Sequence, residues 1–317
     1  MSETTVLLAG VSGGPGQDHQ RDMWAPALAA AGLTTSAVWV PPATVEVERR
    51  RAEALAADLG VECQTGERPD AGAQAAIVCL RGGQRREFLD FAAAQNMPVL
   101  LDKPTLDSTA ELEALAQIDA VVVDPHHFRW HPGFVRAIAA VHGGEIGLLR
   151  AVAAELVVAS GDGAHPDGEL RNLGVYLVDL LRRATGPATV RLRAHGRTDS
   201  WTFLGQTERD VVVSAHTSRT SAEAGGNGTL RAAVRFAGTH GSTRVDLLSP
   251  ALQLHQPGHQ RTLRYGETSV EGLLRNFAAV IAGRARPAPI TDLLVLSRAL
   301  DGLAASATSG TQTTLDW

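Results

Sequence analysis

A chain of 317 residues with net charge −5 and 44% hydrophobic side chains is long enough for two domains and has no cationic excess for nucleic acid or an anionic membrane. Its two cysteines form neither a disulfide framework nor a metal-ligand set, and no apolar run approaches the roughly 20 residues of a membrane span. The N-terminus lacks the charged region of a signal peptide, so a reducing cytoplasm is the expected compartment.

In chain order, residues 5–9 read as a buried strand that runs into the glycine-rich Gly10-Val11-Ser12-Gly13-Gly14-Pro15-Gly16. A helix is expected from about 18 to 31 with Gly32 as its stop, then a strand over 36–40 and a helix over 46–59 stopped by Gly60. A strand over 75–80, a helix over 84–95 and a strand at Val99-Leu100-Leu101 follow. A helix over 109–116, capped by Ser108 or Asp107, and a strand over 120–123 complete this series. Repeating strand-helix units imply a parallel sheet covered on both faces, here a domain over 1–124.

The pattern changes in the second domain, 125–317. A helix follows Pro132 and ends near Gly143, a strand covers 149–158, and a glycine-rich loop covers 160–168. A helix over 170–185 closes on Gly186-Pro187. Stretches such as 190–197, 210–217, 229–236 and 243–248 alternate in the manner of antiparallel strands, with 221–228 as a flexible turn. Two helices, 270–282 and 293–307, end the chain.

The chain has 29 lysine plus arginine residues, and Lys103 is the sole lysine. Arginine supplies fixed charge, but its guanidinium does not give up a proton near neutral pH, whereas a lysine amine can be tuned to do so. Lys103 follows the apolar run ending at Leu101, which places it at the C-terminal lip of a buried strand, where open α/β sheets hold their ligands. Residue type and location together mark it as a catalytic candidate.

The glycine run lies between a strand and a helix, the setting in which backbone N–H groups approach a pyrophosphate. Gly10, Ser12, Gly13, Gly14 and Gly16 are the expected cofactor contacts, although Pro15 removes one donor. The second strand ends in Val40-Pro41-Pro42, without the acidic residue that bonds the ribose of NAD. Thr44 or Arg49 is placed to reach a 2′-phosphate instead, so NADP is favoured and NAD remains possible. The alternative is that these arginines only coat a solvated helix. Arg81 and Arg85, after the third strand, either meet phosphate or ribose or cap the next helix.

The run from Gly10 to His19, the triplet Asp102-Lys103-Pro104, the segment Phe128-Arg129-Trp130-His131-Pro132 and the helix Asn172-Leu173-Gly174-Val175-Tyr176-Leu177-Val178-Asp179 resemble the Gfo/Idh/MocA oxidoreductases over nearly the whole chain. The resemblance implies an α/β protein: a Rossmann-type parallel-sheet domain and an α/β domain with an open, mainly antiparallel sheet. It also implies that Lys103 lies beside the nicotinamide and that the second sheet joins a homodimer or homotetramer. Two departures stand out. The family shows Glu-Lys-Pro where this chain has Asp-Lys-Pro. Its Asp-x-Gly-x-His-x-x-Asp helix, with histidine as acid/base, here has Asn172 and Tyr176 in place of the first aspartate and the histidine.

An unperturbed tyrosine titrates near ~10, against ~6.5 for histidine, so a phenol donates to a developing oxyanion better than it abstracts a proton. The expected chemistry is hydride reduction of a C=O or C=N group, with Lys103 and Tyr176 as proton donors and Asp179 orienting them. Arg129, His165 and Asn172 are the candidate substrate contacts. His126, His127 and His131 lack acidic or cysteine partners nearby in sequence, and no metal site is expected. A lyase, dehydratase or isomerase on the same scaffold, or a non-catalytic relative, is the alternative.

Overall fold

In the computed structural model, which describes residues 4–11, 18–70, 72–103, 108–159, 168–220, 228–249 and 251–317, the N-terminal apolar runs become strands buried on both faces. The sheet comprises β1 (Thr4–Ala9), β2 (Leu33–Val40), β3 (Glu62–Thr65), β4 (Ala75–Val78), β5 (Val99–Leu101) and β6 (Val122–Val123). All pair in parallel, in the order β3-β2-β1-β4-β5-β6. The order reverses beside β1, which creates the switch point where such sheets bind ligands at their C-terminal ends. The edge strand β3, absent from the sequence expectation, reads Glu-Cys-Gln-Thr and is half-exposed, so it carries no hydrophobic signature.

The connection after β1 is less regular than expected. A wide helical turn, Gln20–Trp24, leads into α1 (Ala25–Leu28) and a tight turn, Ala29–Ala31, before Gly32 stops the chain in the left-handed region at φ 70°. Further helices are α2 (Glu46–Leu59), α3 (Gly82–Ala94) and α4 (Thr109–Leu115). Ser108 caps α4, its Oγ accepting from the Glu111 backbone N–H at 3.1 Å.

The second sheet has nine strands: β7 (Leu149–Ala159), β8 (Thr189–Gly196), β9 (Ser200–Thr207), β10 (Val212–Thr220), β11 (Gly228–Gly238), β12 (Ser242–Asp246), β13 (Ala251–Gln256), β14 (His259–Arg264) and β15 (Thr313–Asp316). Their order is β14-β13-β12-β11-β7-β10-β9-β8-β15. Only β7 and β10 run parallel; every other pair is antiparallel. One face buries alternate residues such as Val152, Ala154, Leu156, Val213, Val234 and Phe236. Two helices, α5 (Pro132–His142) and α6 (Val175–Thr185), contact this sheet. The remaining helices are α7 (Ser269–Ile281) and α8 (Thr291–Ser309).

The fold is α/β, with a six-stranded parallel sheet and a mixed, mainly antiparallel sheet. The chain divides into two compact units, Met1–Pro125 with Val270–Leu294 and His126–Ser269 with Val295–Trp317. A single cut at 124/125 misses the return of Val270–Leu294 to the first unit. No helix among the described residues is long and apolar enough to cross a membrane.

Candidate active site

In the first unit, β1 ends at Gly10, whose φ is +72° and whose N–H donates to the Trp39 carbonyl at 2.8 Å. A Cβ there would lie 2.4 Å from the Cys79 carbonyl oxygen, so only glycine lets β1, β2 and β4 converge at this end of the sheet. Ser12, Gly13, Gly14 and Gly16 lie outside the described residues, as do Pro15 and Pro104.

After β2, the Thr44 N–H donates to the Pro41 carbonyl at 3.0 Å. The Arg49 guanidinium donates to the Pro42 and Thr44 carbonyls at 3.3 and 3.4 Å, so this loop folds around a cation. Half-buried Arg81 precedes the first turn of α3, while Arg85 is buried and its Nε donates to the Leu80 carbonyl at 2.9 Å.

Asp102 and half-buried Lys103 stand at the C-terminal lip of β5. The Asp102 carboxylate is buried and accepts from His19 Nδ1 at 2.6 Å and from Trp24 Nε1 at 3.0 Å. Burial alone would raise its pKa; the charge and hydrogen bond of His19, the charge of Lys103 and the Trp24 bond hold it below the usual carboxylate range. Sequence reasoning did not single out Asp102 or His19 as functional. The signal for them was adjacency, one residue to Lys103 and the other directly behind the glycine run.

In the second unit, a wide turn, Leu170–Gly174, carries Asn172 and runs into α6, which carries Tyr176 and Asp179. Asn172, Tyr176 and Asp179 are all buried, at 1%, 3% and 1% exposure. Asp179 takes two bonds from Arg129, Nε at 2.9 Å and Nη2 at 2.6 Å, with Arg183 at 3.4 Å. The Arg129 side chain is only 4% exposed, and this ion pair pins the short turn His127–Trp130 to α6. Asn172 donates to Glu169 at 3.0 Å, and buried Glu169 is also paired with Arg219 of β10.

The Tyr176 ring sits edge-on to His126, His127 and Phe128, with centroid separations of 5.5, 5.3 and 5.2 Å. His127 Nδ1 lies 2.8 Å from Ser269 Oγ, and His131 Nε2 donates to the Ser249 carbonyl at 3.1 Å. His127 and His131 thus bond to different neighbours. Among the described residues, no group of three histidine, cysteine or acidic side chains is arranged to hold a metal. His165 lies outside the described residues.

No protein-family model matches the sequence, and no curated relative does. Solved structures do match over nearly the full length. An aldose-aldose oxidoreductase from Caulobacter crescentus, solved with glycerol, superposes with TM-score 0.79 at 15% identity, covering 99% of this chain and 100% of its own. Levoglucosan dehydrogenase, solved with NADH and levoglucosan, gives TM-score 0.78 at 14% identity over 99% and 100% of the two chains. The 3-ketoreductase KijD10 from Actinomadura kijaniata, solved with NADP and TDP-benzene, gives 0.76 at 18% identity over 96% and 98%. A parallel sheet with Lys103 at its C-terminal lip, followed by the broad mixed sheet, gives this chain the fold of the Gfo/Idh/MocA-type oxidoreductases.

Proposed function

We propose that the protein is an NADP(H)-dependent oxidoreductase that reduces a C=O or C=N group of a small molecule. The observation that carries this reading is the sole lysine, half-buried at the lip of β5 in a Rossmann-type sheet whose first strand ends in an obligatory glycine. Bound reduced nicotinamide would supply hydride to the substrate carbon. Lys103, as an ammonium, gives its proton to the oxygen or nitrogen, and Tyr176 is the second donor.

Asp179 acts through Arg129, and Asn172 through Glu169: each buried pair holds its own segment in place rather than offering a loose charge. His165 remains a proposed substrate contact. NADP is preferred over NAD because the loop after β2 has no carboxylate at its start and is folded around Arg49. Both forms of cofactor occur among the structural neighbours, NADP with KijD10 and NADH with levoglucosan dehydrogenase. Gly10 and the glycines after it, with Thr44 and Arg81, complete the proposed cofactor contacts. Self-association as a dimer or tetramer is assigned to the open face of the second sheet.

Quenching of tryptophan fluorescence by NADPH and NADH tests the cofactor, with tighter binding of NADPH expected. Oxidation of NADPH in the presence of carbonyls, imines and sugars tests the chemistry. Lys103→Met should lower turnover roughly 10²–10⁴-fold while leaving cofactor affinity nearly intact; unchanged turnover removes the mechanism. A cofactor that binds and is never consumed points instead to a lyase, dehydratase or isomerase.

A further inference from the structure

The second sheet buries one face and carries charge on the other. Its register sets a row of side chains across the outer face: Ala153 of β7, Arg235 of β11, Arg244 of β12 and Gln253 of β13 stand opposite one another in turn. In the adjoining row Ala151, Ala237, Ser242 and His255 are matched in the same way. The alanines are short and the arginines long, and between them lies a hollow of about 380 Å³ lined by Arg235, Arg244, Gln253, Ser242 and His255.

Directly opposed residues of an antiparallel pair have Cβ atoms roughly 4.5–5.5 Å apart, and like charges at that spacing are destabilising. Arg235 and Arg244 are such a pair, and both are exposed. Neither makes an ion pair or a side-chain hydrogen bond with another described residue. The acids at neighbouring positions are engaged elsewhere. Glu155 accepts from Arg231 at 3.0 Å, and Asp246 accepts from the Leu248 N–H at 3.0 Å. The juxtaposed arginines therefore weaken the sheet until an anion joins them.

Two guanidinium groups supply two positive charges and planar N–H forks that match phosphate oxygens. A phosphate monoester carries about 1.5–2 negative charges near pH 7, against one for a carboxylate. Gln253, Ser242 and His255 add donors for the remaining oxygens. The net charge of −5 disfavours a long polyanion such as nucleic acid, and the hollow has the size of a small-molecule site. We infer that this hollow binds a small phosphorylated molecule, whose phosphate group bridges Arg235 and Arg244. An isologous contact centred on this face would set arginine against arginine, so self-association there increases the need for the anion. The inference does not depend on the redox reading.

The test follows the melting temperature as inorganic phosphate replaces chloride at constant ionic strength. In wild type it should rise along a saturable curve. Arg235→Gln and Arg244→Gln should each lose most of that rise. Each should also melt above wild type in chloride, because the like-charge pair is gone. Arg193→Gln removes an exposed arginine of β8 outside the hollow and should keep the wild-type response. No rise beyond that in chloride overturns the inference. A rise that both glutamine variants retain in full also overturns it, since the anion then sits elsewhere, as at the glycine run. Glutamine variants that melt below wild type in chloride show that the arginines stabilise the sheet without a ligand, and overturn it too. Sedimentation velocity supplies the last arm: variants that change the oligomeric state in chloride, with no phosphate response in wild type, make the occupant a second copy of the chain and overturn the inference.

Discussion

At Gly10 one missing atom decides how three strands converge. A methyl group there meets the Cys79 carbonyl at 2.4 Å and Leu80 Cδ2 at 2.8 Å, and the backbone sits at φ +72°. The Cys79 oxygen belongs to a strand end and has little room to retreat. Gly60, after α2, provides the control, since it shares the left-handed backbone at φ +67° but nothing lies within 4 Å of its missing Cβ. Gly10→Ala should therefore cost roughly 3 kcal/mol, from strain plus contact, whereas Gly60→Ala should cost about 1 kcal/mol from backbone conformation alone. Urea unfolding midpoints of the two variants check the difference; equal costs would show that the Cys79 contact relaxes freely. The glycine was legible in the sequence as part of a loop motif. Its actual constraint, a carbonyl 69 residues later in the chain, was not, because a local pattern does not specify what approaches it from another strand.

At the scale of elements, α6 shows the division between what spacing encodes and what it leaves open. Tyr176 and Asp179 lie on α6 itself, whereas Asn172 lies in the wide turn before it. All three are buried, as are Leu173, Leu177 and Leu180, which a polar pattern does not announce. The partner of Asp179 comes from afar, Arg129 from the His127–Trp130 turn, and Glu169, which accepts from Asn172, is held by Arg219 of β10; periodicity carries no record of either arginine. Strands β3 and β14 escaped for a related reason: their polar sequences, Glu62–Thr65 and His259–Arg264, are edge strands with largely exposed side chains. The Asp179–Arg129 pair makes a further prediction. Removing Arg129 leaves buried Asp179 with only the longer Arg183 contact, and removing Asp179 takes the carboxylate from buried Arg129, so Arg129→Leu or Asp179→Leu should each cost about 3–5 kcal/mol. The double variant has no orphaned ion and should recover a large part of that loss. A double-mutant cycle by denaturant unfolding measures it; strictly additive losses would show that the two side chains stabilise the turn and α6 independently.

Over the whole molecule, the alternation of strands and helices made the parallel sheet legible, whereas the return of Val270–Leu294 to the first unit was not. Chain reversal between units is a matter of topology, and an amphipathic helix looks the same whichever core receives it. The pH dependence of stability also belongs to this scale, because among the described residues each unit contains a buried group with a lowered pKa. In the second unit burial pushes His131 below its usual range, opposed by its Ser249 bond and by Asp246. In the first, Asp102 is held below the carboxylate range despite burial, chiefly by His19. For both, the unfolded chain takes up a proton more readily than the folded one. Each contribution is therefore complete above the unfolded pKa and fades as the pH falls through the folded value. The His131 contribution starts to decline below about pH 6.5, and that of Asp102 only below the ordinary carboxylate range near ~3.9. The melting temperature should accordingly fall as the pH drops from about 7 to about 5, and fall again in stronger acid. His131→Asn places a good helix-capping residue before Pro132 and removes the titrating ring, so it should flatten the first decline and leave the second in place. A first decline of undiminished size in that variant would assign it to another histidine.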